Sequence, residues 1–188
     1  MGVTNIGKTT QQDLLEKRLA SEGFMISKVK YPRYDLLPTG PRINAYLRGG
    51  NPEGLSPQEF QTLHVQNKFD FEAELLKLLE TNDIVIAEMY SGTGIAYGMG
   101  DGLDKEWFVD QYKNLHVPDV SILLDGKRFL ESREANHIFE NDDVKTEVIR
   151  LAHLELAKDF DWKIVSANGA VEDVHNEIYN SIIPFLKK

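Results

Sequence analysis

Eight residues near the start of the chain, Gly2-Val3-Thr4-Asn5-Ile6-Gly7-Lys8-Thr9, satisfy the pattern G-x-x-x-x-G-K-[ST]. The two glycines let the backbone curl so that successive N–H groups face one point. A helix expected directly afterwards turns its positive end to the same place. The ligand suited to such a cradle is a phosphate chain, with Gly2, Asn5, Ile6, Gly7, Lys8, Thr9 and Thr10 as candidate contacts. Lys8 would reach the terminal phosphate oxygens, and Thr9 would offer its hydroxyl to Mg²⁺. Farther along, Glu88 closes the apolar run IVIA. A carboxylate at the carboxyl end of a strand stands where α/β sheets bind ligands and can hold the shell of Mg²⁺ through water. Read alone, Glu88 is equally a strand-end acid in a turn. Arg33 carries a planar fork that suits two phosphate oxygens, and Arg133 lies in a polar stretch short of apolar anchors. Either is also readable as a solvated surface charge. The histidines at 64, 116, 137, 153 and 175 show no ligand spacing for zinc. Ser91-Gly92-Thr93-Gly94 lacks the order of a nucleophile elbow.

The elements that must position these groups follow from periodicity. Residues 8–21 place Leu14, Leu15 and Leu19 at helical spacing, and Gly23 ends the helix. An alternating strand is expected over 24–30, stopped by Pro32, then a loop over 35–40 and a short helix over 41–47. A long helix is expected over 57–79, and short, almost wholly apolar strands over 84–87 and 120–124. The polar stretch 127–140 precedes a helix over 142–159, a strand over 162–166 and a closing helix over 171–186. Strands that are apolar throughout are covered on both faces. The expected architecture is therefore a three-layer α/β fold with a mostly parallel central sheet and helices on both sides. In such a sheet the phosphate loop normally follows a central strand, yet only Met1 precedes Gly2. A first strand upstream of this sequence is the expectation.

The chain of 188 residues, 41% of them hydrophobic, suits one domain with a full core. With 21 Lys and Arg against 30 Asp and Glu, its net charge of −9 repels nucleic acid and anionic membrane. An anion must then be bound by a small, focused set of cations. No apolar run approaches the roughly 18–20 residues of a membrane span. The absence of cysteine removes disulfides and thiolate chemistry and fits a reducing, cytoplasmic setting.

Taken in order, several short segments resemble the thymidylate kinase family, a branch of the phosphate-loop nucleoside monophosphate kinases. GVTNIGKTTQ is similar to its phosphate loop, and YPRYDLLPTGPRINAYLRG to its acceptor segment. QTLHVQNKFDFE stands where the family has an aromatic followed by N/D-R, and IAEMYSGTGIAYG where it has D-R-Y-x-x-S-x-x-A-Y. PDVSILLD and DWKIVSANGAVEDVHNEI resemble its later strand segments. The resemblance covers nearly the whole chain. It implies transfer of the ATP γ-phosphoryl to the 5′-phosphate of dTMP, with Mg²⁺, in a single domain bearing a lid at about residues 127–141, and assembly as a homodimer. It implies Lys8, Arg33, Glu88 and Arg133 as the catalytic set, Arg133 reaching ATP from the lid. Thr9 and Glu88 would hold the metal, and Thr4, Arg33, His64, Lys68, Tyr90 and Tyr97 the acceptor. Tyr97 would pack on the sugar, and Glu140 would stand as the acid of the lid's R-Y-E element.

The departures from the family pattern are specific. Thr4 replaces an aspartate, Lys68 the arginine that reads the base edge, and His64 the aromatic that stacks on it. Met89 removes the arginine of D-R-Y, and Ile138 the lid arginine of R-Y-E. Two other readings stay open at this point. One is a kinase for a different nucleoside monophosphate, and the other is a nucleotide-binding homologue with little turnover.

Overall fold

The structure is a computed structural model and describes residues 1–129, 131, 134, 135, 137 and 139–186. Helix α1 (Lys8–Ser21) starts at Gly7, whose φ of 87° is left-handed, and no side chain among the described residues caps it. Its first amides therefore remain available to a ligand. There follow β1 (Ile26–Lys30), α2 (Thr39–Gly49), α3 (Pro57–Thr81), β2 (Ile84–Glu88), α4 (Ser91–Gly100) and α5 (Lys105–Tyr112). The second half comprises β3 (Ile122–Asp125), α6 (Asp143–Asp159), β4 (Lys163–Ser166) and α7 (Val171–Ile182), with a 3-10 turn at Ile183–Phe185.

The strands are parallel, as expected, but form two pairs: β1 with β2, from Ile26↔Ile84 to Lys30↔Glu88, and β3 with β4, from Ile122↔Lys163 to Asp125↔Ser166. Between β2 and β3 lies a slot of about 830 Å³, lined by both strands and by Met1. Met1 sits in parallel register against Leu123. Its amino group donates to the Ile122 carbonyl, and its own carbonyl accepts from Leu124 N–H at 3.0 Å. Lys30 and Glu88, which end β1 and β2, and Ala167, which follows β4, line one cleft together with the phosphate loop, so the carboxyl ends of the two pairs share one edge. Apolar side chains of α1 and α3, Leu15, Leu19, Phe60 and Leu75 among them, fill the core with Val29 of β1 and Leu124 of β3.

Helices α4 and α5 were not expected from the sequence. SGTGIAYGMG carries four glycines in ten residues and reads as a loop on helix propensity. Packing overrides that reading. A Cβ on Gly98 would stand 2.1 Å from the Phe108 ring, one on Gly94 2.2 Å from the Tyr112 hydroxyl, and one on Gly100 2.3 Å from Ile149. The bare face of α4 thus lets α5 and α6 approach its backbone. The closing helix stops at Ile182 rather than running to 186, since Pro184 has no amide to continue it.

Gly98→Ala is expected to lower stability by about 1–3 kcal/mol, because the buried Phe108 ring has nowhere to move. Gly49→Ala, whose nearest neighbour would be Pro52 at 3.8 Å, is expected to cause no loss. Urea denaturation of both variants checks the contrast.

Candidate active site

The phosphate loop folds over a cleft of about 560 Å³ at the carboxyl edge of β1 and β2. Asn5 takes φ 57°, a left-handed conformation that asparagine tolerates, and this turns the loop inward. Lys8 donates from Nζ to the Val3 carbonyl at 2.6 Å, and burial lowers its pKa to about 8. At the cleft floor the Thr9 hydroxyl donates to Glu88 Oε2 at 3.2 Å. Glu88 is 7% exposed and belongs to the last turn of the β1–β2 ladder. A hydroxyl and one carboxylate side by side suit a hard cation that takes its remaining ligands from water and phosphate. Among the described residues no cluster of three His, Cys, Asp or Glu could hold a metal by itself. The donor set at Thr9 and Glu88 therefore fits Mg²⁺ shared with a nucleotide. The empty-handed first turn of α1 and the curled loop fit the phosphates.

The other end of the cleft is aromatic. Phe60 stacks on Tyr46 with centroids 3.6 Å apart and meets the His64 ring edge-on at 4.7 Å. Tyr97 meets Phe139 edge-on at 5.3 Å. These walls suit a flat ring. Lys68, one helical turn beyond His64 on α3, is only 2% exposed. Its Nζ donates to the His64 carbonyl at 3.3 Å and lies 5.6 and 5.5 Å from the Tyr31 and Tyr112 ring centroids. Burial brings its pKa down to about 7. His64 is held neutral, its pKa well below the usual imidazole value, by burial and then by Lys68. The buried hydroxyls of Tyr31 and Tyr112, whose rings flank Lys68, and of Thr93 on the cleft wall have no hydrogen-bond partner among the described residues.

Most of the expected residues meet in this cleft: Thr4, Asn5, Ile6, Gly7, Lys8, Thr9, Thr10, His64, Lys68, Glu88, Tyr97 and Glu140 all line it. Three do not. The Arg33 guanidinium makes a two-pronged bond to Asp35, at 2.8 and 3.1 Å, and lies over Phe71 with 4.6 Å to the centroid. Its neighbours Pro32 and Tyr34 line the cleft in its stead. Tyr90 points to the core, with its hydroxyl on Glu72 at 3.0 Å and its ring 5.3 Å from Tyr31. The reason is Met89, whose left-handed φ of 60° gives it the cleft-facing position after Glu88. Gly2 instead permits close approach to β3, where a Cβ would stand 2.5 Å from the Leu124 carbonyl oxygen. Arg133 and Ile138 lie outside the described residues.

Several contributors escaped the sequence reading. Arg128, 9% exposed at its side chain, binds the Thr4 carbonyl at 3.2 Å, the Thr4 hydroxyl at 3.1 Å and the Glu140 carbonyl at 2.9 Å. It therefore braces the phosphate loop against the segment that follows β3. Asn5 adds a bond to Glu140 at 2.9 Å. Asn67, fully buried on α3, accepts from Arg33 N–H at 2.7 Å and donates to the Arg33 carbonyl at 2.9 Å. That clamp fixes the backbone of the acceptor segment. Lys30 stands in the cleft beside Glu88. The signal available for Asn67 was a polar residue on the apolar face of α3.

The family profile described as "Thymidylate kinase" matches residues 2–178. A probable thymidylate kinase of Thermococcus onnurineus is 30% identical over 194 residues, covering 94% of this chain and 92% of the relative. The thymidylate kinase of Dictyostelium discoideum is 27% identical, covering 94% and 80%. The solved thymidylate kinase of Candida albicans superposes with a TM-score of 0.81 at 23% identity, covering 98% of this chain and 89% of that one. That superposition establishes the phosphate-loop kinase fold. With the loop, the cleft and a profile match over nearly all of its length, the chain belongs to the thymidylate kinase family.

Proposed function

We propose that the protein transfers the γ-phosphoryl group of ATP to the 5′-phosphate of dTMP, giving ADP and dTDP. The observation that carries this reading is the two-ended cleft: a phosphate cradle with Lys8, Thr9 and Glu88 at one end, and an aromatic slot with His64, Lys68 and Tyr97 at the other. Family membership supports the same assignment. Phosphoryl transfer asks chiefly for alignment and for compensation of charge on the phosphate oxygens. The amides of the loop and the first turn of α1 bind and orient the donor phosphates, and Lys8 contributes its ammonium there. Thr9 and Glu88 would hold Mg²⁺, which would supply neutralisation of charge on the donor phosphates. His64 and the rings of Phe60, Tyr97 and Phe139 receive the base and sugar, and Lys68 donates to a carbonyl on the base edge. Residues 127–141 act as the lid in this reading, with Arg128 rooting it to the loop and Arg133 as its cation for ATP.

Exposed apolar positions on helices, Leu76 of α3 and Val144, Val148 and Leu151 of α6, support assembly as a homodimer through helices. Sedimentation velocity checks it. No helix among the described residues is long and apolar enough to cross a membrane. The cysteine-free composition supports a cytoplasmic location.

A coupled assay with ATP, Mg²⁺ and dTMP tests the reading. Lys8→Ala is expected to lower kcat by about 100- to 1,000-fold, the effect of removing a preorganised group that meets charge in the transition state. Arg33→Ala, with its guanidinium on Asp35, is expected to change kcat/KM by less than about tenfold. Phosphorylation of another monophosphate with none of dTMP would overturn the assignment.

Lys68 also predicts a pH dependence. With a pKa of about 7 in the free protein, it loses its proton as pH rises through neutrality. A neutral amine donates less strongly to the base carbonyl. The KM for dTMP is therefore expected to rise above pH 7 in the wild type. In Lys68→Met that limb disappears, while the titration of dTMP's own phosphate near pH 6 remains. Initial rates between pH 6 and 9 on both proteins decide it.

A further inference from the structure

Lys30 is the last residue of β1 and pairs in register with Glu88. Its Nζ lies 3.5 Å from Glu88 Oε1 and 3.4 Å from the Thr9 hydroxyl. The lysine side chain is 59% exposed and the acid only 7%, so the ammonium stands on the cleft side of a buried carboxylate. An ion pair this exposed on one partner contributes little to stability. Its position is more informative than its pairing. Lys30 shares the cleft wall with Lys8, Tyr34 and Met89, where the donor cradle meets the acceptor segment. Met89 brings a thioether to that wall and no charge. Arg33, three residues beyond Lys30, is committed to Asp35 outside the cleft. Arg48 is tied to Glu134, and Lys68 is sunk among tyrosine rings at the far end.

We propose that Lys30 is a catalytic residue whose ammonium bridges the acceptor's phosphate and the γ-phosphoryl group in transfer, supplying at the strand end of β1 the charge that Met89 does not supply after β2. The proposal rests on the dTMP kinase reading above. In the step itself an oxygen of the acceptor phosphate forms a bond to the γ-phosphorus. The bond from that phosphorus to the β,γ-bridging oxygen breaks, and its electron pair leaves on ADP. Lys30 keeps its three protons throughout and acts by charge alone. A flexible four-carbon stem with three rotatable donors suits a group that must follow phosphate oxygens as they move. Thr9 and Glu88 would be the residues to hold Mg²⁺, and Lys30, 59% exposed beside them, keeps its ammonium on the cleft side, where the phosphates bind.

The test measures dTMP binding and ATP binding separately by titration calorimetry, with steady-state kinetics, on wild type, Lys30→Met and Lys30→Arg. Lys30→Met is expected to weaken dTMP binding about tenfold and to lower kcat by about 30- to 300-fold, with ATP affinity within about twofold of wild type. Lys30→Arg is expected to restore most of the dTMP affinity, and the loss in Lys30→Met falls on dTMP rather than ATP, whereas a merely structural partner of Glu88 would on removal disturb the Thr9–Glu88 end of the donor site. Wild-type dTMP affinity and kcat in Lys30→Met would overturn the proposal. So would an equal loss of ATP affinity, which would assign the cation to the donor site. If the wild type turned over no dTMP, the kinase reading would fail, and the calorimetric comparison would still decide whether Lys30 meets the monophosphate.

Discussion

The contact between the Thr9 hydroxyl and the Glu88 carboxylate joins two parts of the chain 79 residues apart, and the geometry of the cleft depends on it. One partner opens α1 directly after the phosphate loop; the other closes β2. Parallel pairing then places Lys30 beside the same acid without any further device, because strands that run together end together. A chain with a net charge of −9 must hold polyanions by local concentration of cations. A shared strand edge, faced by the positive end of a helix, provides that concentration at one place.

The two ends of the cleft use charge differently. At the phosphate end Lys8 remains largely cationic near neutrality despite its burial, since its pKa falls only to about 8. At the aromatic end, burial brings Lys68 to about 7 and leaves it near the midpoint of its titration. Burying an ammonium is unfavourable, and the tyrosine rings of residues 31 and 112 offset part of that through their π faces. An arginine, always charged and better able to make paired bonds, would bind a base edge more rigidly. Lysine makes the recognition of the acceptor responsive to pH instead.

Where local chemistry decided an element, the sequence was readable. Gly7 and Gly23 bracket α1, and the helix occupies residues 8–21 as the periodicity demanded. Apolar runs identified β2 and β3 for the same reason. Tertiary packing decided the rest. The glycines of α4 look like a loop until Phe108, Tyr112 and Ile149 are laid against them. Lys30 occupies a polar position of an alternating strand, which the pattern gives to solvent; only the register with Glu88 reveals what it faces. Arg33 and Tyr90 had the right residue types, but a neighbouring acid at Asp35 and a left-handed Met89 turned them elsewhere. Residue type indicates which chemistry is available, and the backbone decides where it is delivered.

The glycine helix has a consequence for how the site comes into being. Four glycines in ten residues leave α4 well below what a helix needs to persist unaided, each weakening it by about 0.8–1 kcal/mol relative to alanine. It closes by packing, above all against α5 and α6, which bring the rings and the isoleucine that fill its bare face. Thr93, Gly94 and Tyr97, all on the cleft wall, are carried by that helix. The acceptor wall therefore owes its helix to packing, while the phosphate loop is anchored to α1 and braced by Arg128. Within one fold, the acceptor wall thus borrows its helix from its neighbours.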